Sequence, residues 1–118
     1  MTDSSPNQLD SITAGRDLAA LSSVELLSSH VYDLATACAV KLGLYEGLAA
    51  DLAEARILID ALAGLVDSSA RNVGSHHAAP MRDALKSLQQ EFRRQSSFPD
   101  EPGEGPGERY TGYVAPSR

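Results

Sequence analysis

The chain has 118 residues, which is enough for one small domain with tails, and its net charge of −6 at pH 7 disfavours bulk binding to DNA or anionic membranes. The single cysteine, Cys38, excludes an internal disulfide framework, and no apolar run is long enough to span a bilayer. Few aromatic residues beside many Leu, Ala, Val and Ile favour an all-α protein. We expect it in the cytoplasm, because the amino terminus lacks the positive charge and apolar run of a signal peptide.

The first predicted helix covers residues 23–42. Ser22 can act as its N-cap, and Glu25, three residues later, completes a capping box. Apolar residues then recur at steps of three or four, namely Val24, Leu27, Val31, Leu34, Cys38 and Leu42. Gly43 follows where a left-handed residue would end the helix.

The second predicted helix covers residues 52–71, with Asp51 as its N-cap and Glu54 completing the box. Its main apolar stripe consists of Leu52, Ala55, Ile59, Leu62 and Val66, and a second stripe contains Leu58 and Leu65. A helix that is apolar on two faces indicates burial against more than one neighbour. Gly64 either permits a close helix crossing or is a tolerated helix glycine.

The third predicted helix covers residues 78–95, with Pro80 in its first turn and Ser75 or His77 as candidate caps. Its apolar stripe is Met81, Leu85, Leu88 and Phe92. We therefore predict an antiparallel helical hairpin plus a third helix over residues 22–96. The flanking segments 1–21 and 97–118 are predicted to be disordered, the latter because it is rich in Pro, Gly and charge. The small core and the double-faced second helix favour a homodimer, and a monomeric bundle stays open.

Four stretches carry a family resemblance through their order and spacing: "LLSSHVYDLATACAVKLGL", "DLAEARILIDALAGL", "RNVG" and "PMRDALKSLQQEF". Over residues 24–94 they resemble a bacterial family of small helical proteins, the domain-of-unknown-function family 1844. The "HAAP" helix start and the "PGEGPGERYTG" tail are similar to those of actinobacterial-type members. The resemblance implies no activity, cofactor or catalytic residue, and it implies a role linked to translation or the ribosome. Ala79 stands where many members have a threonine.

The candidate metal ligands are His30, Cys38, His76 and His77, but their spacing matches no zinc motif. Adjacent histidines point in different directions on a helix and rarely bind one metal ion together. We therefore interpret His76 and His77 as part of the start of the third helix. We therefore predict no metal and no cofactor. The sequence has no nucleophile elbow and no catalytic motif either, and we expect a non-enzymatic protein.

The candidate partner-binding residues are basic and aromatic. Arg82, Lys86 and Arg93 fall beside the apolar stripe of the third helix, and Tyr110 and Tyr113 lie in the tail. The cations could contact RNA phosphates, or they could pair with acidic residues of the neighbouring helices; the acidic net charge favours the second interpretation. Tyrosines are unusual in disordered segments, so the two residues indicate either a short partner-binding motif or a solvated tail without a function.

Our leading hypothesis is therefore a non-enzymatic interaction protein that docks onto a protein or ribonucleoprotein partner. Its surface would be the helical domain or the tyrosine-bearing tail. The alternative hypothesis is direct RNA binding through Arg82, Lys86 and Arg93.

Overall fold

The computed structural model describes residues 6–117, and within them the secondary structure is helical, without strands. The helices are α1 (Pro6–Ala19), α2 (Ser23–Lys41), α3 (Leu52–Val73), α4 (Ser75–Gln95) and the one-turn α5 (Glu108–Thr111). Helices α2, α3 and α4 pack against one another as a bundle, and α5 packs against α3. The predicted all-α, three-helix fold is confirmed. None of the described helices combines the length and the apolar character that crossing a bilayer requires.

Helix α1 lies outside this bundle. Its described side chains, including Ile12 and Leu18, are exposed, and α1 has no extensive packing with the other described helices. A helix of 14 residues without tertiary packing is marginally stable in water. The segment therefore agrees with the predicted amino-terminal tail; residues 1–5 of that prediction lie outside the described part of the chain.

Helix α2 begins and ends as predicted. The Ser22 hydroxyl accepts a hydrogen bond from the Glu25 amide at 3.1 Å, and the Glu25 carboxylate accepts one from the Ser22 amide at 2.9 Å. Gly43, with φ of +71°, ends the helix in a Schellman motif, in which its amide and the next one donate to carbonyls of the last turn. The capping box and the terminating glycine are thus both confirmed.

The start of α3 is confirmed in part. The Asp51 carboxylate accepts a hydrogen bond from the Glu54 amide at 3.2 Å, as an N-cap should. The second half of the capping box does not form, because the Asp51 amide donates to the Lys41 carbonyl at 2.7 Å. That bond ties the start of α3 directly to the last turn of α2.

Helix α4 begins at Ser75, earlier than the predicted residue 78. Gly74, with φ of +81°, is the single residue between α3 and α4, so the two helices form a tight hairpin. No side chain caps α4, and the predicted cap at Ser75 or His77 is therefore wrong. Pro80 lies beyond the first turn, where its missing N–H leaves the carbonyl four residues earlier without its helical donor.

The core consists of the apolar stripes that the sequence predicts. Buried side chains from all three helices form one cluster that includes Val31, Cys38, Leu42, Ala55, Ile59, Leu62, Val66, Met81, Leu85, Leu88 and Phe92. Leu58 and Leu65, the second stripe of α3, are half-buried against it. Phe92 is the one aromatic side chain in this cluster, and it is 1 % exposed.

The carboxyl-terminal segment, residues 99–117, lies against α3 and α4 and contains α5. Within this segment, Val114 and residues 105–108 are buried. The structure thus corrects the prediction that residues 97–118 are disordered, with residue 118 outside the described part of the chain. The physical reason is a buried ion pair between this segment and α4, which composition does not reveal.

Candidate functional site

A buried ion pair joins the carboxyl-terminal segment to α4. Arg93 Nε and Nη2 each lie 2.6 Å from a carboxylate oxygen of Glu108, so the pair is bidentate. The two side chains are 4 % and 1 % exposed. The same guanidinium donates to the carbonyls of Asp100 and Glu101 and lies 4.8 Å from the ring centroid of Tyr113. Arg93 therefore holds both ends of the segment.

Backbone amides complete the surroundings of the Glu108 carboxylate. The amides of Gly103 and Gly105 donate to one oxygen, and the amide of Val114 donates to the other. Burial disfavours the ionised carboxylate, but Arg93 and these amides outweigh it and lower the pKa of Glu108 below its usual value. The hydrogen bond to Glu108 likewise raises the pKa of Arg93. The pair is therefore fully ionised at neutral pH.

A second set of contacts positions α5 over α3. The amide of Gly107 donates to Asp60 at 3.2 Å, and Arg109 pairs with the same carboxylate at 2.6 Å. The side chain of Tyr110 crosses α3 at Gly64, where an added Cβ would lie 3.1 Å from the tyrosine hydroxyl. Gly64 therefore makes room for a tyrosine of the segment, rather than for a helix crossing.

The segment, α3 and α4 enclose a groove, which we call the tyrosine groove. Its volume is about 410 Å³, within the range of small ligand sites. Its residues come from α3 (Ala63, Val66, Asp67), from α4 (Arg82, Leu85, Lys86, Gln89) and from the segment (Tyr110, Thr111, Tyr113, Val114). The floor is mainly apolar, while the rim carries two cations, one carboxylate and two aromatic rings.

Gln89 is the polar residue of the groove floor, and it is 2 % exposed. Its Nε2 donates to the Pro106 carbonyl at 3.1 Å and to the Thr111 hydroxyl at 3.0 Å. Its Oε1 has no hydrogen-bond donor within the described residues. The two hydrogen bonds of Nε2 therefore attach the floor of the groove to the segment, while the buried Oε1 stays without a donor.

The two rim cations differ from the others nearby in lacking an acidic partner. Seven arginine and lysine residues lie between residues 52 and 117. Five of them form ion pairs, namely Arg56, Arg71, Arg93, Arg94 and Arg109. Arg82 and Lys86 make no ion pair with any described carboxylate, and both line the tyrosine groove.

Four of the five predicted partner-binding residues thus come together at one place. Arg82, Lys86, Tyr110 and Tyr113 line the tyrosine groove, and their side chains are exposed or half-exposed. Arg93 does not belong to an exposed basic edge, since it is buried beneath Tyr113 by its pair with Glu108. The acidic partners expected from the neighbouring helices are used elsewhere: Arg109 pairs with Asp60, and Arg71 pairs with Asp67.

The predicted metal candidates do not converge. His76 and His77 are exposed at the start of α4, with ring centroids 5.4 Å apart and edge to face. Cys38 lies in the core, where burial raises the pKa of its thiol to about 11. Within residues 6–117 no three His, Cys, Asp or Glu side chains are grouped so that they could hold a metal ion.

Sequence reasoning missed Glu108, Gln89 and Asp60, which fix the segment in place. A signal for one of them, Gln89, was present in α4, where Leu85, Gln89 and Arg93 follow at steps of four. A row of this kind indicates that a second element covers the helix. The partner Glu108 had no such signal, because its setting forms only when the glycine-rich segment folds.

Comparison with known proteins gives one match. The family model described as "Domain of unknown function (DUF1844)" matches residues 23–94, which is more than half of the chain. The match covers α2 and α3 and nearly all of α4, and the carboxyl-terminal segment lies beyond it. No curated protein and no solved structure matches the chain.

Proposed function

The chain belongs to the DUF1844 family, and on that premise we propose that it is a non-enzymatic interaction protein whose partner docks in the tyrosine groove. One observation carries the proposal. The only two cations between residues 52 and 117 that pair with no described carboxylate lie together on the rim of an apolar-floored groove. Partially apolar clefts with a few convergent polar groups are the usual form of binding sites.

The chemistry of the titratable groups supports a non-enzymatic role. A catalytic thiol needs a low pKa, whereas burial raises the pKa of Cys38 to about 11. The other perturbed buried groups are Arg93 and Glu108, and their mutual hydrogen bonds hold both in the charged state. A pair that satisfies itself in this way has no proton to exchange at neutral pH, so its role is to hold the segment.

The test is a crosslinked pull-down from native cells with charge-reversed variants of the full chain. The groove variant is Arg82→Glu with Lys86→Glu. The matched control is Arg16→Glu with Lys41→Glu, which reverses two exposed cations outside the groove that likewise pair with no described carboxylate. We expect a specific partner to be lost from the groove variant only. Equal recovery with both variants would contradict the proposal.

Two finer proposals follow from the sequence. A homodimer is supported by exposed apolar side chains away from the groove, such as Ile57 at 63 % and Tyr32 at 53 % exposure. Light scattering coupled to size exclusion tests it, and a strict monomer at high concentration would contradict it.

A translation-linked role is supported by the family resemblance alone. It would gain support if ribosomal or initiation proteins were lost with the groove variant, and unrelated partners would oppose it.

A further inference from the structure

We infer that the tyrosine groove binds an acidic segment of a partner protein, with an apolar side chain in the groove floor and carboxylates at Arg82 and Lys86. The inference rests on the proposed function and adds the chemical class of the partner. The groove lies between α3, α4 and the segment around α5.

The arrangement of Arg82 and Lys86 is the first argument. They are four residues apart on one helix, where Cβ atoms lie about 5–6 Å from each other and like charges destabilise the helix by a few tenths of a kcal/mol. The chain has 16 acidic residues and 10 basic ones, so acidic partners are not scarce. Two adjacent cations left without a carboxylate in an acidic protein are electrostatically complementary to a ligand with negative charge.

The groove floor is the second argument. Leu85, Val66 and Val114 form it together with Ala63, so a ligand that offers only charge would leave apolar surface exposed. A volume of about 410 Å³ accommodates one or two apolar side chains. A short peptide supplies both parts, with its apolar side chain in the floor and neighbouring carboxylates on the rim.

The α3 side of the rim is compatible with such a ligand. Asp67 lies there, but Arg71 pairs with it at 3.3 Å and offsets its charge. The cations lie on the α4 side, so a bound peptide would place its carboxylates over α4. Unpaired positive charge therefore lies on the α4 side of the groove, which gives a bound peptide a preferred orientation.

RNA fits the same groove less well. Arg93 is buried in its pair with Glu108, so only two cations remain to contact phosphates. For a single strand, the logarithm of the binding constant would then fall with the logarithm of the salt concentration with a slope of only about −1.4. Tyr110 and Tyr113 each already have a guanidinium over the ring, with Arg109 and Arg93 at 4.8 Å from the centroids. These rings have less free surface for stacking bases than an open platform would offer.

The test is an NMR titration of the ¹⁵N-labelled full chain with defined probes. The first probe is a synthetic ten-residue peptide with two leucines among glutamates. The others are the same peptide with lysines in place of the glutamates, the same peptide with serines in place of the leucines, and a ten-residue oligouridylate. We expect the glutamate–leucine peptide to shift the amides of Leu85, Lys86 and Val114. The dissociation constant should lie between about 10⁻⁴ and 10⁻³ M.

Charge reversal decides between the possible results. Arg82→Glu with Lys86→Glu should weaken the binding of the glutamate–leucine peptide at least tenfold, while Arg16→Glu with Lys41→Glu should leave it unchanged. The inference is overturned if the lysine or serine peptide binds as well, if oligouridylate alone shifts the groove amides, or if no probe shifts them at 5 mM. In each of these cases a partner lost with the groove variant in the pull-down would leave the proposed function standing.

Discussion

Replacing Glu108 by Gln should release the carboxyl-terminal segment and leave the three-helix bundle folded. The substitution removes the charge that pairs with Arg93 and puts an amide donor where backbone N–H groups or the guanidinium now donate. Breaking a buried ion pair by removing one partner costs about 3–5 kcal/mol. The core cluster of α2, α3 and α4 contains no residue of the segment, so the helices keep their contacts with one another when the segment leaves.

The other ion pairs of the segment offset little of that loss. Its remaining ion pairs, Arg56 with Asp100 and Arg109 with Asp60, are partly exposed, and such pairs contribute about 0–1 kcal/mol each. When the segment leaves, water solvates Arg93, so the bundle does not retain a buried unpaired charge. The destabilisation caused by Glu108→Gln is then limited to the free energy with which the segment docks. A loss of about 3–5 kcal/mol lowers the docking equilibrium constant by a factor of roughly 10²–10³·⁵.

Amide hydrogen exchange measures this release. The Gly107 amide is a suitable reporter, because it donates to Asp60 and not to Glu108 itself. Its protection should fall by about 10² or more, down to the level of an unstructured amide, while amides in the middle of α3 keep theirs. Glu104→Gln, an exposed neighbour in the same segment, is the control and should change neither. Retention of Gly107 protection within tenfold of the wild type would refute the role of the ion pair.

The remaining predictions concern acid, the turn after α2 and the core. The folded pKa of Glu108 lies below its unfolded value, so its contribution is present above about pH 4.3 and is lost as the pH falls through the folded pKa. Protection of the segment amides should therefore disappear in acid before helical circular dichroism does, and simultaneous loss would oppose this. An alanine in the left-handed conformation costs about 1–2 kcal/mol. Gly43→Ala should destabilise the bundle by more than this, because the added Cβ would also lie 2.9 Å from the backbone nitrogen of Ala50. Gly47 has a φ of +82° and no atom near an added Cβ, so Gly47→Ala should show only the conformational cost in urea denaturation. Equal losses of unfolding free energy in the two variants would contradict a steric contact at Gly43. Phe92→Ala should cost about 3–5 kcal/mol in the same assay. Phe98 is 94 % exposed, so Phe98→Ala should change the free energy of unfolding by less than about 0.5 kcal/mol. Comparable losses of stability in the Phe92 and Phe98 variants would be inconsistent with a core built around Phe92.

The helices could be predicted because their signals are local. Ser22 with Glu25, Asp51, and Gly43 act within a few residues, and the apolar stripes follow helical spacing. The start of α4 was placed too late because Pro80 dominated the pattern. Gly74 alone is enough to separate two helices, and the first turn of α4 forms without a side-chain cap.

The carboxyl-terminal segment could not be predicted in the same way. Its proline, glycine and charge content is that of a disordered tail, and it becomes ordered through contacts distant in sequence. Arg93 and Glu108 are 15 residues apart, and Asp60 meets Gly107 across 47 residues. The candidate site was predicted in its residues but not in its geometry. The tyrosines and the cations were identified separately, and only the docked segment brings them into one groove.

Site-specific photocrosslinking in cells tests the central claim most directly. Tyr113 lies on the groove and Tyr32 lies on α2, and at 51 % and 53 % exposure they are matched sites for a photoreactive phenylalanine. We predict that a probe at 113 captures a protein other than a second copy of this chain and that a probe at 32 does not. The capture at 113 should be lost when Arg82 and Lys86 are both replaced by Glu. Equal capture from both positions, or capture that survives charge reversal, would contradict a partner site in the tyrosine groove.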